Sequence, residues 1–376
     1  MWVRAKGLEG MNMNGIVRKS VVLVGLSWVA VFAMAQQPAA VAAVQSAGVA
    51  GGGGDSRPIV LDVVVTDKAG KEIAGLHASD FTVVDNAKPT AIVKFRAHNK
   101  ADVPAGDVDP STEVVMVLDE VDAPFDKVAY AREGLESFLR ERGGNLDHPV
   151  SLAFFSEDGL EVQTKPSIDG NAIADALHKQ GQSFRLLDKG GFYGDEQRRK
   201  LAMDAMDSLI AKEHGKPARK MLIWLSPGWP LLSGFGEDLS PNEMQHLFGS
   251  VVRLSNALQR ERMTLYSVDP LGSEGVGTLR ASFYENFTKG LRKPEDAQNA
   301  DLGLQVLAVQ TGGQVIFGNA PITKSLDRCV GDLDAYYTLT IEAARGERPD
   351  EYHHLEVKAG AAGLKVRTRD GYYAQP

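Results

Sequence analysis

Three carboxylates crowd one short stretch of this chain. Asp119, Glu120 and Asp122 follow the apolar run Val114-Val115-Met116-Val117-Leu118. Carboxylates at a strand end are the raw material of a hard-cation site, but such an ion takes six or more oxygen ligands. Val121 and Ala123, interleaved with them, have no side-chain oxygen. The simpler reading is a solvated acidic loop. A second candidate is Ser226, which follows the apolar run Met221–Leu225 and precedes Pro227-Gly228. A nucleophile elbow has this strand–turn setting, but it needs Gly-x-Ser-x-Gly, and Trp224 occupies the first glycine position. Asp269 and His353 follow in the chain order of a hydrolase triad. A serine hydrolase using Ser226 requires a histidine and an acid within hydrogen-bond reach of it.

Aromatic residues make a third group. Trp224, Trp229, Phe235 and Phe248 surround one strand end, with Pro227, Pro230 and Gly234 between them. Trp224 reads as core. Trp229 lies between prolines with few core neighbours in sequence, so Trp229, Pro230 and Phe235 are the expected partner-binding residues, on the loops where ligands usually meet such sheets. Gly190-Gly191-Phe192-Tyr193-Gly194 lacks the Lys-Ser/Thr of a phosphate loop and reads as a mobile loop. His353 and His354 are adjacent in a strand-like stretch, so their rings face opposite ways and do not share a metal easily. Cys329 falls on an apolar helical face and reads as a core thiol.

The elements that must position these residues are legible in outline. The chain has 376 residues, with 43% hydrophobic and 24% charged side chains, which suits two globular domains rather than a disordered or multi-span membrane chain. Its net charge is −8, without an evident basic stripe, so nucleic acid is not an expected partner. One cysteine excludes an internal disulfide and a cysteine-based zinc site. Arg18-Lys19, the apolar stretch Val21–Met34 and Ala33-Met34-Ala35 read as a signal peptide over residues 1–35, cleaved before Gln36. The apolar stretch is short for a membrane span, so no stable membrane anchor is expected after cleavage, and the protein is expected to be periplasmic or secreted. Met11 and Met13 are alternative starts.

Residues 36–56, with Gly51–Gly54, read as a flexible linker. Residues 58–100 read as β strands, with Ile59–Thr66, Phe81–Val84 and Ile92–Phe95 separated by turns. A polar junction at 100–111 precedes a strand–helix alternation over 112–335, which implies a doubly wound, mostly parallel sheet. Its strands are placed at 114–118, 150–155, 221–225, 265–268 and 314–317. Helices are placed near 128–139, 171–179, 195–212, 247–258, 302–309 and 326–337. Residues 336–376 return to β structure, and neither end alone supplies enough strands for a sandwich. The expectation is one small β-sandwich built from both ends, 58–100 and 336–376, with the α/β domain set between.

Three ordered stretches carry a resemblance: Val63–Gly70 with Gly75–Phe81; Leu265–Pro270 followed by Leu307–Gly313; and Leu333–Tyr337 with Leu364–Tyr373. In these the chain resembles the von Willebrand factor A-related proteins abundant in acidobacteria. The resemblance implies a von Willebrand A domain, a Rossmann-like sheet that often binds Mg²⁺ at its carboxyl edge. The family motif is Asp-x-Ser-x-Ser, with a Thr and an Asp from two later loops. Asp119 matches the first Asp, whereas Val121 and Ala123 stand at the serine positions and Pro227 lies in the loop expected to carry the later Asp. The stretch 182–195, where the Thr belongs, contains no Thr. The expectation is therefore a degenerate metal site, no Mg²⁺ or other cofactor, no enzymatic activity, and an unidentified protein partner. The competing readings are a metal-dependent adhesion domain using Asp119 and Asp122, and the hydrolase.

Overall fold

In the computed structural model, residues 58–100, 112–163, 165–180, 191–229, 239–271, 287–360 and 363–376 are described. The expected signal peptide, linker and most of the junction, together with Pro230 and Phe235, lie outside these residues.

The first strands are β1 (Pro58–Thr66), β2 (Phe81–Asp85), β3 (Lys88–Thr90) and β4 (Ile92–Asn99). The middle of the chain forms β5 (Thr112–Asp119), α1 (Phe125–Arg140), β6 (Asn145–Ser156), β7 (Gly159–Val162), β8 (Ser167–Asp169), α2 (Gly170–Lys179) and α3 (Gly191–Glu213). It continues through β9 (Arg219–Leu225), α4 (Pro241–Arg260), β10 (Met263–Val268), α5 (Leu304–Gln310), β11 (Val315–Ile316) and α6 (Ile322–Gly331). The last strands are β12 (Ala335–Glu342), β13 (Glu351–Ala359), β14 (Lys365–Arg367) and β15 (Gly371–Ala374).

The architecture is mixed α/β, one parallel-rich sheet with two antiparallel ones. The parallel-rich sheet runs β11-β10-β9-β5-β6-β7, with β8 also paired to β6. Strands β5, β9 and β10 are buried along their length, and their central residues are mostly apolar because both faces are covered. Helices α1, α2 and α6 bury their apolar stripes on one face, and α3, α4 and α5 on the other. The edge strands β7 and β8 are antiparallel to β6. They are short and half-buried or exposed, so they carry little of the apolar signal that marks an interior strand. Helix α4 starts at a reciprocal cap: Ser240 and Glu243 satisfy each other's backbone N–H, with Pro241 at the first helical position.

Several expected boundaries shift. Helix α3 starts at Gly191, so 191–194 is the first turn of a helix rather than a mobile loop. Helix α6 stops at Gly331, and Tyr337 belongs to β12. Lys88 and Pro89, expected in a turn, form β3, where Pro89 sits on an edge strand paired only to β2.

The two chain ends interleave. One four-stranded sheet runs β14-β1-β12-β4 and the other β15-β13-β2-β3. Their inner faces enclose Ile59, Leu61, Val63, Phe81, Val83, Tyr337, Leu339, Leu355, Val357 and Tyr372. Strand β1 alternates because its other face turns away from that core. This sandwich and the α/β layers belong to one compact unit.

The Thr311-Gly312-Gly313 stretch shows how tightly the layers meet. Thr311 Oγ1 accepts the Leu265 amide at 2.9 Å and donates to the Ala308 carbonyl at 3.0 Å. A Cβ on Gly313 would lie 1.8 Å from the Leu265 carbonyl oxygen, so only glycine fits between α5 and β10.

Beneath α4 and α5, Asp301 is buried and accepts the Gln298 amide at 2.7 Å. Burial pushes its carboxyl up to about 7, opposed by that amide and reinforced by the charge of Asp296. A raised acid stabilises the fold fully below its unfolded value, and that stability is lost as pH rises through the folded value. Asp301→Asn keeps the acceptor and removes the titration. Relative to the variant, the wild type should lose on the order of 4 kcal/mol between about pH 4 and pH 8. Thermal denaturation across that range checks it, and parallel pH profiles would refute it.

Candidate functional site at the carboxyl edge of the sheet

The carboxyl ends of β5, β9 and β10 bring Asp119, Ser226 and Asp269 to one edge of the parallel sheet. Asp119 is 1% exposed. Its Oδ1 accepts the amides of Val121 and Asp122, both at 2.9 Å, and its Oδ2 accepts the Trp224 indole N–H at 3.2 Å. Burial pushes its carboxyl up, while the Asp122 amide, the Ser226 hydroxyl, the Val121 amide and the Trp224 indole hold it down. Both oxygens are therefore occupied by donors of the protein itself.

The rest of the acidic loop is not the solvated loop expected from sequence. Glu120 lies 3.6 Å from Arg132, and Asp122 lies 3.3 Å from Arg198, with all four side chains largely buried. Burial raises the Glu120 carboxyl, and Arg132 opposes that rise. Arg132 also donates to the Leu177 and Gln180 carbonyls. The side chains between the carboxylates go into the cores. Val121 packs with Trp224 and the α3 residues on one face of the sheet, and Ala123 packs with the α1 residues on the other.

A hard divalent cation does not fit these donors. Val121, Ala123 and Pro227 offer no side-chain oxygen, and the Asp119 oxygens already take three N–H donors. Among the described residues, no group of three or more His, Cys, Asp or Glu side chains is placed to hold a metal ion.

The loop after β9 folds back on itself. Ser226 Oγ accepts the Gly228 amide at 3.1 Å. Gly228 sits at φ +112°, in the left-handed region, where a Cβ would lie 2.4 Å from the Gln305 amide nitrogen. Gln305 Nε2 holds the Pro227 carbonyl at 3.0 Å. This turn carries Trp229 back into the protein, where it is 1% exposed and packs edge-on against Trp224 at 5.2 Å. The expectation of a partner-facing Trp229 is corrected: flanking prolines do not keep a residue at the surface when a tight turn returns it to the core.

The triad drawn from chain order does not assemble. Ser226 is fully buried and engages Gly228 and Asp119. His353 Nδ1 instead meets Asp85 at 2.8 Å inside the β-sandwich, and Tyr372 donates to the same carboxylate at 2.6 Å. His353 is buried and His354 exposed, on opposite faces of β13. Cys329 is buried, and burial pushes its thiol up.

Among the described residues, this edge presents a cleft of about 390 Å³ to solvent. It lies between the amino ends of α1 and α6 and the turn after β10, and is lined by Lys127, Tyr130, Asp269, Leu271, Asn319 and Ile322, among others. Phe125 is 57%, Tyr130 44% and Phe317 47% exposed. Tyr130 lines the cleft, while Phe125 and Phe317 each adjoin a lining residue. Sequence reasoning missed all three, since one exposed aromatic in a chain carries no local mark. It also missed Arg132, which did carry a signal. Arg132 shares the buried stripe of α1 with Val128 and Leu135, and a buried arginine requires a partner.

No protein-family model matches the chain, and no curated protein matches it. Among solved structures, it is similar to human COPII-coat protein Sec24c at 9% identity and TM-score 0.31, covering 75% of this chain and 46% of that one. It thus spans about half the length of Sec24c. The SpRpn10 VWA domain aligns at 10% identity and TM-score 0.31 over 59% of this chain and 97% of that one. The pilus adhesin SpaC from Lactobacillus rhamnosus GG aligns at 12% identity and TM-score 0.34 over 79% and 48%.

Proposed function

We propose that this chain is an exported, non-enzymatic module for protein interaction or adhesion, built on a doubly wound von Willebrand A-like domain. The observation that carries the reading is the cleft at the carboxyl edge of the sheet, lined by Tyr130, with the exposed Phe125 and Phe317 each next in sequence to a lining residue. Exposed aromatics beside a concavity are the kind of group that dominates binding energy at interfaces. This reading puts the partner surface at the amino ends of α1 and α6 rather than on the buried Trp229. Export rests on the charged and apolar segments before Gln36. No helix among the described residues is long and apolar enough to cross a membrane. The buried Ser226, engaged by Gly228 and Asp119 while His353 meets Asp85 in the β-sandwich, favours the interaction reading over a hydrolase.

Capture of secreted and periplasmic proteins on the immobilised chain, quantified by mass spectrometry, tests this. Tyr130→Ala and Phe317→Ser, both at exposed positions, should weaken capture of a specific partner about tenfold or more while leaving the fold intact. EDTA should leave capture unchanged. Equal capture by wild type and both variants, or esterase turnover lost in Ser226→Ala, would refute the reading.

A further inference from the structure

We infer that Arg132 and Arg198 take the place of a divalent cation on the 119–123 loop, so that the carboxyl edge of the sheet is held by internal guanidinium groups and does not respond to metal. This holds whatever the cleft binds. Three carboxylates within four residues repel one another and are costly to bury. A metal-binding domain of this class answers that cost with a hard cation and its oxygen ligands. Here each charge is met by protein groups from a different direction. Asp119 takes two loop amides and the indole of Trp224. Glu120 faces Arg132, carried on α1, and Asp122 faces Arg198, carried on α3.

The two arginines come from helices on opposite faces of the sheet, and the loop lies between them. Arg132 is itself fixed by the Leu177 and Gln180 carbonyls at the end of α2. A guanidinium held this way is always charged and needs no solution ion. Val121 and Ala123, buried in the two cores, close off the positions from which hydroxyl ligands would reach a metal. The substitutions that remove the ligands and the arginines that replace the charge are therefore parts of one arrangement. It couples α1, α2 and α3 to the loop permanently, where a metal would couple them only when bound.

The test is a double-mutant cycle on Asp122 and Arg198, with and without divalent cation. Arg198→Gln leaves Asp122 buried without this guanidinium and should lower Tm by roughly 5–10 °C. The double variant Asp122→Asn with Arg198→Gln should recover much of that loss, and Arg198→Lys should retain part of the wild-type Tm. Mg²⁺ or Ca²⁺ should not move the wild-type Tm, and calorimetry with Mg²⁺ should be silent. Arg198→Gln should acquire a rise in Tm on adding either ion, because Asp122 then lacks this guanidinium. Additive losses in the cycle, the same cation response in both proteins, or wild-type Mg²⁺ binding abolished by Asp119→Asn would each overturn the inference.

Discussion

Ending the chain after Glu342 should unfold a strand, Phe81–Asp85, that lies more than two hundred and fifty residues earlier. Strand β2 is held on one side by β13, with Leu355 opposite Asp85 and Ala359 opposite Phe81. On its other side it has only the three-residue β3. Without β13 and β15 that sheet is reduced to a two-stranded ribbon, which is marginal in water. The sandwich core would lose Leu355, Val357 and Tyr372 together. At about 1.5–3 kcal/mol for each large apolar side chain, this removes roughly 5–8 kcal/mol, comparable to the whole stability of many domains. Asp85 would lose both His353 and Tyr372 and stay behind as an unpaired carboxylate. Hydrogen exchange should show the amides of Val83–Asp85 falling to the unprotected rate in the truncated protein. The amides of Met221–Leu225, flanked on both sides by β5 and β10, should remain slow. Unchanged protection at Val83–Asp85 would show that the two ends fold independently.

What the sequence disclosed follows from how each element earns its stability. Strands buried on both faces, such as Val114–Leu118 and Met221–Leu225, are continuous apolar runs that few other structures explain. Elements held at an edge left no such trace. Strands β3, β7 and β8 are short and mostly exposed or half-buried, and their pairing depends on β2 or β6 lying beside them. The acidic loop is the instructive case. Local sequence identifies the missing hydroxyls at Val121 and Ala123, but Arg132 is thirteen residues from Asp119 and Arg198 lies on another helix. Which charge answers which is set by the sheet order, since β5 lies between β6 and β9 and its end meets helices from both faces. Trp229 misled for the converse reason. Proline neighbours argue for a surface loop, but the turn at Gly228 depends on Gln305, far along the chain.

Asp62→Ala is expected to be the most damaging single substitution at the contact between the sandwich and the α/β layers. Asp62 lies on β1, and its Oδ1 accepts Arg262 at 2.7 Å and the Thr338 hydroxyl at 3.0 Å. Its Oδ2 lies 3.8 Å from Arg219. Arg219 is fully buried on β9, with its guanidinium 4.3 Å above the Tyr336 ring. Burial opposes the charge on Arg219, and Asp62 is the largest influence restoring it. Removing the carboxylate leaves a buried guanidinium supported by the Tyr336 ring face, a contact worth about 2 kcal/mol when desolvated, and by the more distant Tyr266 and Asp332. Breaking one side of a buried pair typically costs about 3–5 kcal/mol. Asp62→Asn keeps an acceptor for Arg262 and Thr338 but loses the charge, so it should fall between wild type and alanine. If the cost arises from the stranded Arg219, then Arg219→Met should relieve part of it in the Asp62→Ala background. That ordering separates an electrostatic defect from simple loss of packing. Equilibrium urea unfolding of the four proteins measures it, and a loss below about 1 kcal/mol for Asp62→Ala would place the pair among surface-like ion pairs instead.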